Sequence, residues 1–360
     1  MSRLDHIEIE GYRSIRQVRL DLGALNILIG ANGAGKSNLV AALGMLSDII
    51  DRRLQLHVGR RGGANTLLHF GQKRTRQLRL CVRSGDEEYE AVLEPAAGDT
   101  LIFASEKTTY HGPSTRVPHK DDLGAGHRET ELDEVNAFIT VTFGCLAAIQ
   151  GLRVFQFHDT SASSAIKQKH AVDDNRALRA DGSNLAAVLH GLRQRERDRY
   201  RAIVDTIRSI APFFDDFVLE PDAADAKVIQ LEWRHATDPS YFNAHSLSDG
   251  TLRFMCLATL LHQPARPSMI VIDEPELGLH PAAIVQLAAM LRVAAIDSQI
   301  IVATQSVTLL DQFASEDVIV VERAGEESVF RRLAPDQVRG WIDDYSLGDL
   351  WLKNVLGGRP

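Results

Sequence analysis

The run Gly30-Ala31-Asn32-Gly33-Ala34-Gly35-Lys36-Ser37, followed by Asn38, constrains this 360-residue chain more than any other feature. It satisfies G-x-x-x-x-G-K-[ST] in full. Before it lies a stretch from Ala24 to Ile29 that is apolar except for Asn26. After it, Leu39, Leu43, Leu46 and Ile50 fall on one helical face. The apolar stretch reads as a buried parallel strand. Strand, glycine-rich turn and amphipathic helix in that order make a loop whose backbone N–H groups converge on an anion, with the helix N-terminus adding positive potential. Lys36 has the reach for β- and γ-phosphates, and Ser37 carries a hydroxyl suited to Mg2+. The plainer alternative, a glycine-rich turn that binds nothing, has the order of the flanking elements against it.

A second half to such a site comes late in the chain. Met269-Ile-Val-Ile-Asp273-Glu274 is an apolar strand pattern ending in two carboxylates. Asp273 suits the Mg2+ position and Glu274 suits a general base that polarises an attacking water. Two solvated acids at a strand end is the competing reading, weakened by the loop upstream. Between the two halves, Ser246-Leu247-Ser248-Asp249-Gly250-Thr251 precedes an apolar helical pattern of Leu252, Met255, Leu257 and Leu260. Ser248 and Gly250 at a helix start can hold an anion; a Ser-x-Gly is by itself also an ordinary N-cap turn.

Composition narrows the classes. Hydrophobic residues make up 44% and charged residues 24%, the balance of a globular protein rather than a disordered or fibrous one. Length allows about two domains or one large α/β domain. Cys81, Cys145 and Cys256 are far apart with no CxxC pair, which argues against a zinc knuckle, a redox motif or a disulfide framework. The start alternates charged and apolar residues, unlike a signal peptide, and no apolar run is long enough to span a bilayer. A cytoplasmic setting is expected. With a formal charge of −8, nucleic acid is bound, if at all, through a local basic patch. Arg52, Arg53, Arg60 and Arg61 form one candidate. Arg193, Arg195, Arg197, Arg199 and Arg201, interleaved with Glu196 and Asp198, form a weaker one.

Along the chain, strands are expected through Leu4, Ile7 and Ile9, and again through Ile15, Val18 and Leu20. An antiparallel meander is expected through Leu78–Val82, Tyr89–Leu93 and Leu101–Phe103. Residues 105–130 read as a surface loop whose His111, His119 and His127 are solvated rather than metal ligands. Helices are expected over Val135–Leu152 and Leu185–Ile210. Met269–Ile272, Ile300–Ala303 and Val318–Val321 read as strands, with a helix between the first two that starts at Pro281.

With these segments in view, the chain resembles the ABC-type ATPases of the RecF, SMC and OLD group, and more closely a bacterial AAA/ABC-type ATPase family related to them. The resemblance is carried by Ile9-Glu-Gly-Tyr-Arg-Ser-Ile, the glycine-rich loop, Leu247-Ser-Asp-Gly-Thr-Leu-Arg, Ile272-Asp-Glu-Pro-Glu-Leu-Gly-Leu-His-Pro and the segment Tyr345–Pro360. Arg179-Ala-Asp-Gly-Ser-Asn-Leu adds to it; the stretch around 105–130 adds least. It implies an α/β P-loop NTPase with an ABC-type, RecF/SMC-like head: a mixed sheet, an antiparallel β subdomain and a helical lobe. The single head would divide into a nucleotide-binding lobe (1–165 and 265–330), a helical signature lobe (166–264) and a tail (331–360). ATP and Mg2+ are the implied cofactors.

The same resemblance implies that Asn32, Gly33, Ala34, Gly35, Lys36, Ser37 and Asn38 hold the nucleotide, with Ser37 and Asp273 on the metal and Glu274 catalytic. It casts Ser248 and Gly250 as a signature serving the γ-phosphate of an opposite protomer, and Gly278-Leu279-His280-Pro281 as a D-loop crossing to that protomer. Arg13 would lie near the nucleotide; a strand-end surface arginine is the equal alternative. Two departures from the family's pattern stand out. Where a switch histidine is expected the chain reads Ala303-Thr304-Gln305-Ser306, so Gln305 would face the γ-phosphate or its water, without the charge of His+ and with slow hydrolysis one consequence. The Q-loop residue is open among Gln72, Gln150 and Gln156.

Expected partners are a second copy in the ATP-bound state, DNA as one candidate and a separately encoded effector as another, with no membrane. The segment after the strand ending near Arg323 is too short for a Toprim-type nuclease domain, so an effector would act in trans. The competing functions are a repair switch on DNA, the ATPase of an anti-phage defence module, a transporter ATPase (disfavoured by the Gly-Tyr-Arg-Ser and Leu-Ser-Asp-Gly segments), and a nucleotide-dependent regulatory module that binds a protein without touching DNA.

Overall fold

The computed structural model describes residues 3–112, 119–132, 143–341 and 344–359. The chain forms two compact units. The first comprises Met1–Val154, Ser268–Val271 and Asp297–Pro360, the second Phe155–Pro267 and Ile272–Ile296.

Two sheets frame the first unit. One is antiparallel throughout, in the spatial order Ile15–Asp21, His6–Tyr12, Leu78–Ser84, Glu87–Ala96, Thr100–Tyr110 and His119–Gly124. The other is ordered Glu327–Arg332, Val318–Ala324, Leu25–Ile29, Gln299–Thr304, Met269–Asp273 and Leu152–Phe155. Leu25–Ile29 is at its centre and is parallel to both neighbours. All five of its residues are buried, as a strand covered on both faces requires. The one polar residue, Asn26, is satisfied: its amide donates to the Gly23 and Ile300 carbonyls, and its oxygen accepts from Gly23 N–H and Arg332. The helix Lys36–Ile50 buries Leu39, Val40, Leu43, Leu46 and Ile49 in one core shared with Ile7 and Ile9 of the antiparallel sheet and Leu28 and Ile301 of the mixed one.

In the second unit, the helices Leu185–Arg195, Arg197–Ile210, Asp249–His262 and Pro281–Asp297 accompany a small antiparallel sheet of Phe214–Val218, Glu232–His235 and Tyr241–Asn243. Trp233 anchors that sheet, packing on Phe213, Phe214 and Phe242 at ring separations of 5.6, 6.2 and 5.1 Å. This unit was expected to be helical. Its strands run only three to five residues, so the charged-apolar alternation of Glu232-Trp-Arg-His is too brief to stand out as a strand pattern.

Three further expectations need correction. Residues 105–130 are not simply a loop: Thr100–Tyr110 extends the meander and His119–Gly124 pairs with it. The Glu106 carboxylate is fully buried beneath this edge. It accepts from Tyr89 Oη (2.6 Å), His127 Nε2 (2.9 Å), Glu131 N–H (3.0 Å) and the Thr130 hydroxyl. His127 is therefore a stacked, largely buried donor, set against Phe103 at 4.4 Å, while His111 and His119 are exposed as expected. The helix expected over Val135–Leu152 is described as Phe143–Gln150. Gly151 then turns the chain into the strand Leu152–Phe155, and residues 133–142 lie outside the described residues. The helix expected over Leu185–Ile210 breaks at Glu196 (φ −133°) into two.

All three cysteines are buried free thiols. Burial pushes Cys81 up to about 12 and Cys145 and Cys256 higher still, which leaves them inert as nucleophiles. Among the described residues no His, Cys, Asp or Glu cluster is fit to hold a metal by itself, and no helix is long and apolar enough to cross a membrane.

Candidate nucleotide site

The first unit carries the glycine-rich loop. It leaves the buried strand at Ile29 and re-enters regular structure at Lys36, with Gly35 as the helix N-cap in the left-handed region (φ 115°). A Cβ on Gly35 would sit 2.1 Å from Ser328 Oγ, so only glycine lets the loop pass this hydroxyl. Ser328 belongs to a small polar latch. Ser14 Oγ and Ser328 Oγ are 2.7 Å apart, Asn38 Nδ2 donates to Ser14 Oγ at 2.6 Å, and Ser328 N–H donates to the Ser14 carbonyl at 2.8 Å. The start of the helix is thereby tied to the turn after His6–Tyr12 and to Glu327–Arg332, the antiparallel edge strand of the second sheet.

Lys36 is buried, and its ammonium donates to the carbonyls of Gly30 (2.6 Å) and Ala31 (3.1 Å). A buried cation folded back on the loop, beside the N-terminal amides of a 15-residue helix, is a strong anion-attracting arrangement. Asn32, Gly33 and Ser37 are exposed on the loop, while Ala34 is buried beneath it. Asn38 is engaged with Ser14, so its side chain serves the latch.

Arg13 occupies a left-handed turn position (φ 47°). Its N–H donates to the Leu67 carbonyl, its own carbonyl accepts from His69 Nδ1 at 2.6 Å, and its guanidinium lies 5.5 Å from the Tyr12 ring centroid. It lines a cavity of about 390 Å3 with Phe70 and Arg323, one residue from the latch serine. Gln305 follows the strand Gln299–Thr304. Thr304 is in register with Ile29, so Gln305 comes level with the first residue of the glycine-rich loop. Of the three Q-loop candidates, Gln72 donates to Asp99 in an exposed turn, Gln150 ends a helix and Gln156 follows the strand Leu152–Phe155.

In the second unit, Asp273 is a buried carboxylate at the end of its strand, and its backbone carbonyl accepts from His158 Nε2 at 2.9 Å. Glu274 follows in a left-handed conformation (φ 47°), unusual for a residue with a Cβ and of the kind that concentrates at functional sites. Ser248 is the N-cap of the helix Asp249–His262: its hydroxyl accepts from Thr251 N–H at 3.2 Å and lies 2.8 Å from Thr251 Oγ1. The N-cap reading and the anion-binding reading thus describe one exposed helix start. A Cβ on Gly250 would sit 2.1 Å from the Gly278 carbonyl oxygen, so the helix start at Ser248 and the loop after Glu274 meet backbone to backbone. Arg253, one turn further along, fastens the pair. It donates to the carbonyls of Phe157 (3.0 Å), His158 (2.9 Å) and Leu277 (2.9 Å). Arg253 is the last residue of the segment Leu247-Ser-Asp-Gly-Thr-Leu-Arg. Its role depends on carbonyls remote in sequence and leaves no local signal.

The family described as "AAA domain, putative AbiEii toxin, Type IV TA system" matches residues 25–311. The chain belongs to this family. A 96-residue stretch is 34% identical to the DNA replication and repair protein RecF of Paenarthrobacter aurescens (strain TC1). That stretch is 26% of this chain and 22% of the RecF protein, so the match spans only about a fifth of that relative. Among solved structures, an SMC head bound to the C-winged helix domain of ScpA aligns with a TM-score of 0.58 at 16% identity, covering 94% of this chain and 99% of that one. An SMC head with an extended coiled coil, bound to the C-terminal domain of ScpA and derived from Pyrococcus furiosus, gives 0.56 at 15% identity, covering 96% and 99%. The fold is therefore that of an ABC-type P-loop head.

Proposed function

We propose that the protein binds and hydrolyses MgATP and that ATP joins two copies of it. The single observation that carries the reading is the glycine-rich loop: a buried ammonium folded over a helix N-terminus, on a turn where Gly35 alone fits. That cradle suits the phosphates of a nucleotide.

In this reading Lys36 and the loop amides neutralise the phosphates, Ser37 and Asp273 are the Mg2+ ligands, and Glu274 takes the proton of the attacking water. Bound Mg2+ supplies charge neutralisation on the phosphoryl group. Gln305 has the position to orient a group near the terminal phosphate, as a neutral amide. Ser248 and the N-terminal amides of its helix receive the terminal phosphate held by a second copy. The junction of Gly250 with Gly278 supports this, because it couples the signature to the loop that follows the base. A switch of this kind acts in DNA repair or in anti-phage defence, with a separately encoded effector as a candidate partner. Arg60 and Arg61 favour a nucleic-acid contact: both are exposed and form no ion pair among the described residues, whereas Arg53 is taken up by Asp48 and Asp51, and Arg193 and Arg201 have carboxylate neighbours.

The test is phosphate release and sedimentation of the wild-type protein with ATP, with and without Mg2+. Mg2+-dependent turnover and an ATP-dependent shift to dimer are expected. Lys36→Ala should lose both, with ATP affinity falling about 100-fold. A folded wild-type protein that neither binds nor turns over ATP overturns the proposal.

A further inference from the structure

The segment after Ser346 is bound tightly to the nucleotide-binding side of the first unit. Its helix Leu347–Leu352 buries Trp351 completely, and Trp351 Nε1 donates to the Gly358 carbonyl at 2.6 Å. Gly358 N–H donates to Glu322 Oε1 at 2.8 Å, and Arg331 donates to the Leu356 carbonyl at 2.8 Å. Gly358 is left-handed (φ +61°). A Cβ there would lie 2.8 Å from Val320 Cγ1, 3.2 Å from the Val321 carbonyl oxygen and 3.5 Å from Gly30 Cα. The backbone at Gly358 is thus pressed between the strand Val318–Ala324 and the first residue of the glycine-rich loop.

Arg359 comes next, and its position is set by that clamp. It is exposed and forms no ion pair or side-chain hydrogen bond among the described residues. With Ala31, Asn32, Gly33 and Arg323 it lines a cavity of about 380 Å3. Two guanidinium groups therefore border the first half of the loop. The one carboxylate on the wall, Glu322, already accepts from Gly358 N–H. Two guanidinium groups against one carboxylate leave net positive charge beside the glycine-rich loop, which favours an anion there.

We infer that Arg359 is a further nucleotide ligand, a cation supplied by the chain's own 346–359 segment to the terminal phosphate of ATP. The inference rests on the nucleotide reading above. The helix N-terminus at Gly35–Ser37 serves the inner phosphates, and Arg359 borders the opposite half of the loop, Ala31–Gly33, where the third phosphate adds its charge. Arg359 thus discriminates triphosphate from diphosphate.

The experiment is a calorimetric titration of wild-type, Arg359→Ala and Arg359→Lys proteins with a non-hydrolysable ATP analogue and with ADP. Arg359→Ala should weaken the analogue about tenfold and leave ADP within about twofold, and Arg359→Lys should recover part of the loss. Analogue affinity unchanged within twofold in Arg359→Ala overturns the inference while leaving the nucleotide reading intact. Equal weakening of both nucleotides also overturns it, because the residue would then be acting through the fold of the segment. A wild-type protein that binds neither nucleotide overturns the nucleotide reading, and this inference with it.

Discussion

Gly250 and Gly278 are in backbone contact: a Cβ on Gly250 would fall 2.1 Å from the Gly278 carbonyl oxygen. The helix start that carries Ser248 and the loop that follows Glu274 therefore cannot move independently. A shift of either has to be accommodated by the other or by Arg253, which donates to the neighbouring Leu277 carbonyl. Substituting Gly250 would not isolate anion binding, since any side chain there dislodges the loop.

Ser248→Asp separates the two roles of that helix start. Aspartate is as good an N-cap as serine, so thermal stability should stay within about 0.5 kcal/mol of wild type, whereas Ser248→Ala should cost about 1 kcal/mol. The added carboxylate opposes the terminal phosphate of a neighbour. ATP binding should be retained, with ATP-dependent dimerisation and turnover falling about 100-fold. Dimerisation at the wild-type level, measured by sedimentation with ATP, counts against a composite site.

Arg253→Ala removes a charged donor from three carbonyls in two loops. A loss of about 2–3 kcal/mol in denaturant unfolding is expected, with turnover reduced more than ATP affinity because the loop after Glu274 loses its anchor. Arg253→Lys, with one compact ammonium in place of a planar fork, should restore only part of it. An Ala variant as stable as wild type contradicts the anchoring role.

The fold was largely legible in the chain, and for definite reasons. Buried parallel strands such as Leu25–Ile29 and Gln299–Thr304 are near-continuous apolar runs, and the loop between strand and helix has its own residue chemistry. What escaped was polar or remote. Thr100–Tyr110 hides a buried Glu106 whose partners are Tyr89, His127 and Thr130, so a strand with a carboxylate core looked like surface. The latch of Ser14 with Ser328 joins residues 314 positions apart, and no local pattern marks it. At the candidate site, the motifs point to the glycine-rich loop, Asp273, Glu274 and Ser248 but not to Arg253 or Arg359, whose settings come from backbone carbonyls and a glycine clamp.

Glu274 holds a left-handed conformation at φ 47°, which costs a residue with a Cβ and not glycine. Glu274→Gly should therefore be more stable than Glu274→Ala by about 0.5–1 kcal/mol, part of the relief being offset by glycine's greater freedom in the unfolded chain. Both variants should lack turnover. Equal melting temperatures, or a more stable Ala variant, would show that the position is not strained.

If Glu274 activates the water that attacks MgATP, single-turnover hydrolysis by Glu274→Gln must be slow. The amide keeps the size and shape of the side chain and leaves Lys36, Ser37 and Asp273 in place. ATP affinity should stay within about twofold of wild type, and the hydrolysis rate should fall about 100-fold or more. A rate within twofold of wild type at saturating ATP and Mg2+ would contradict it.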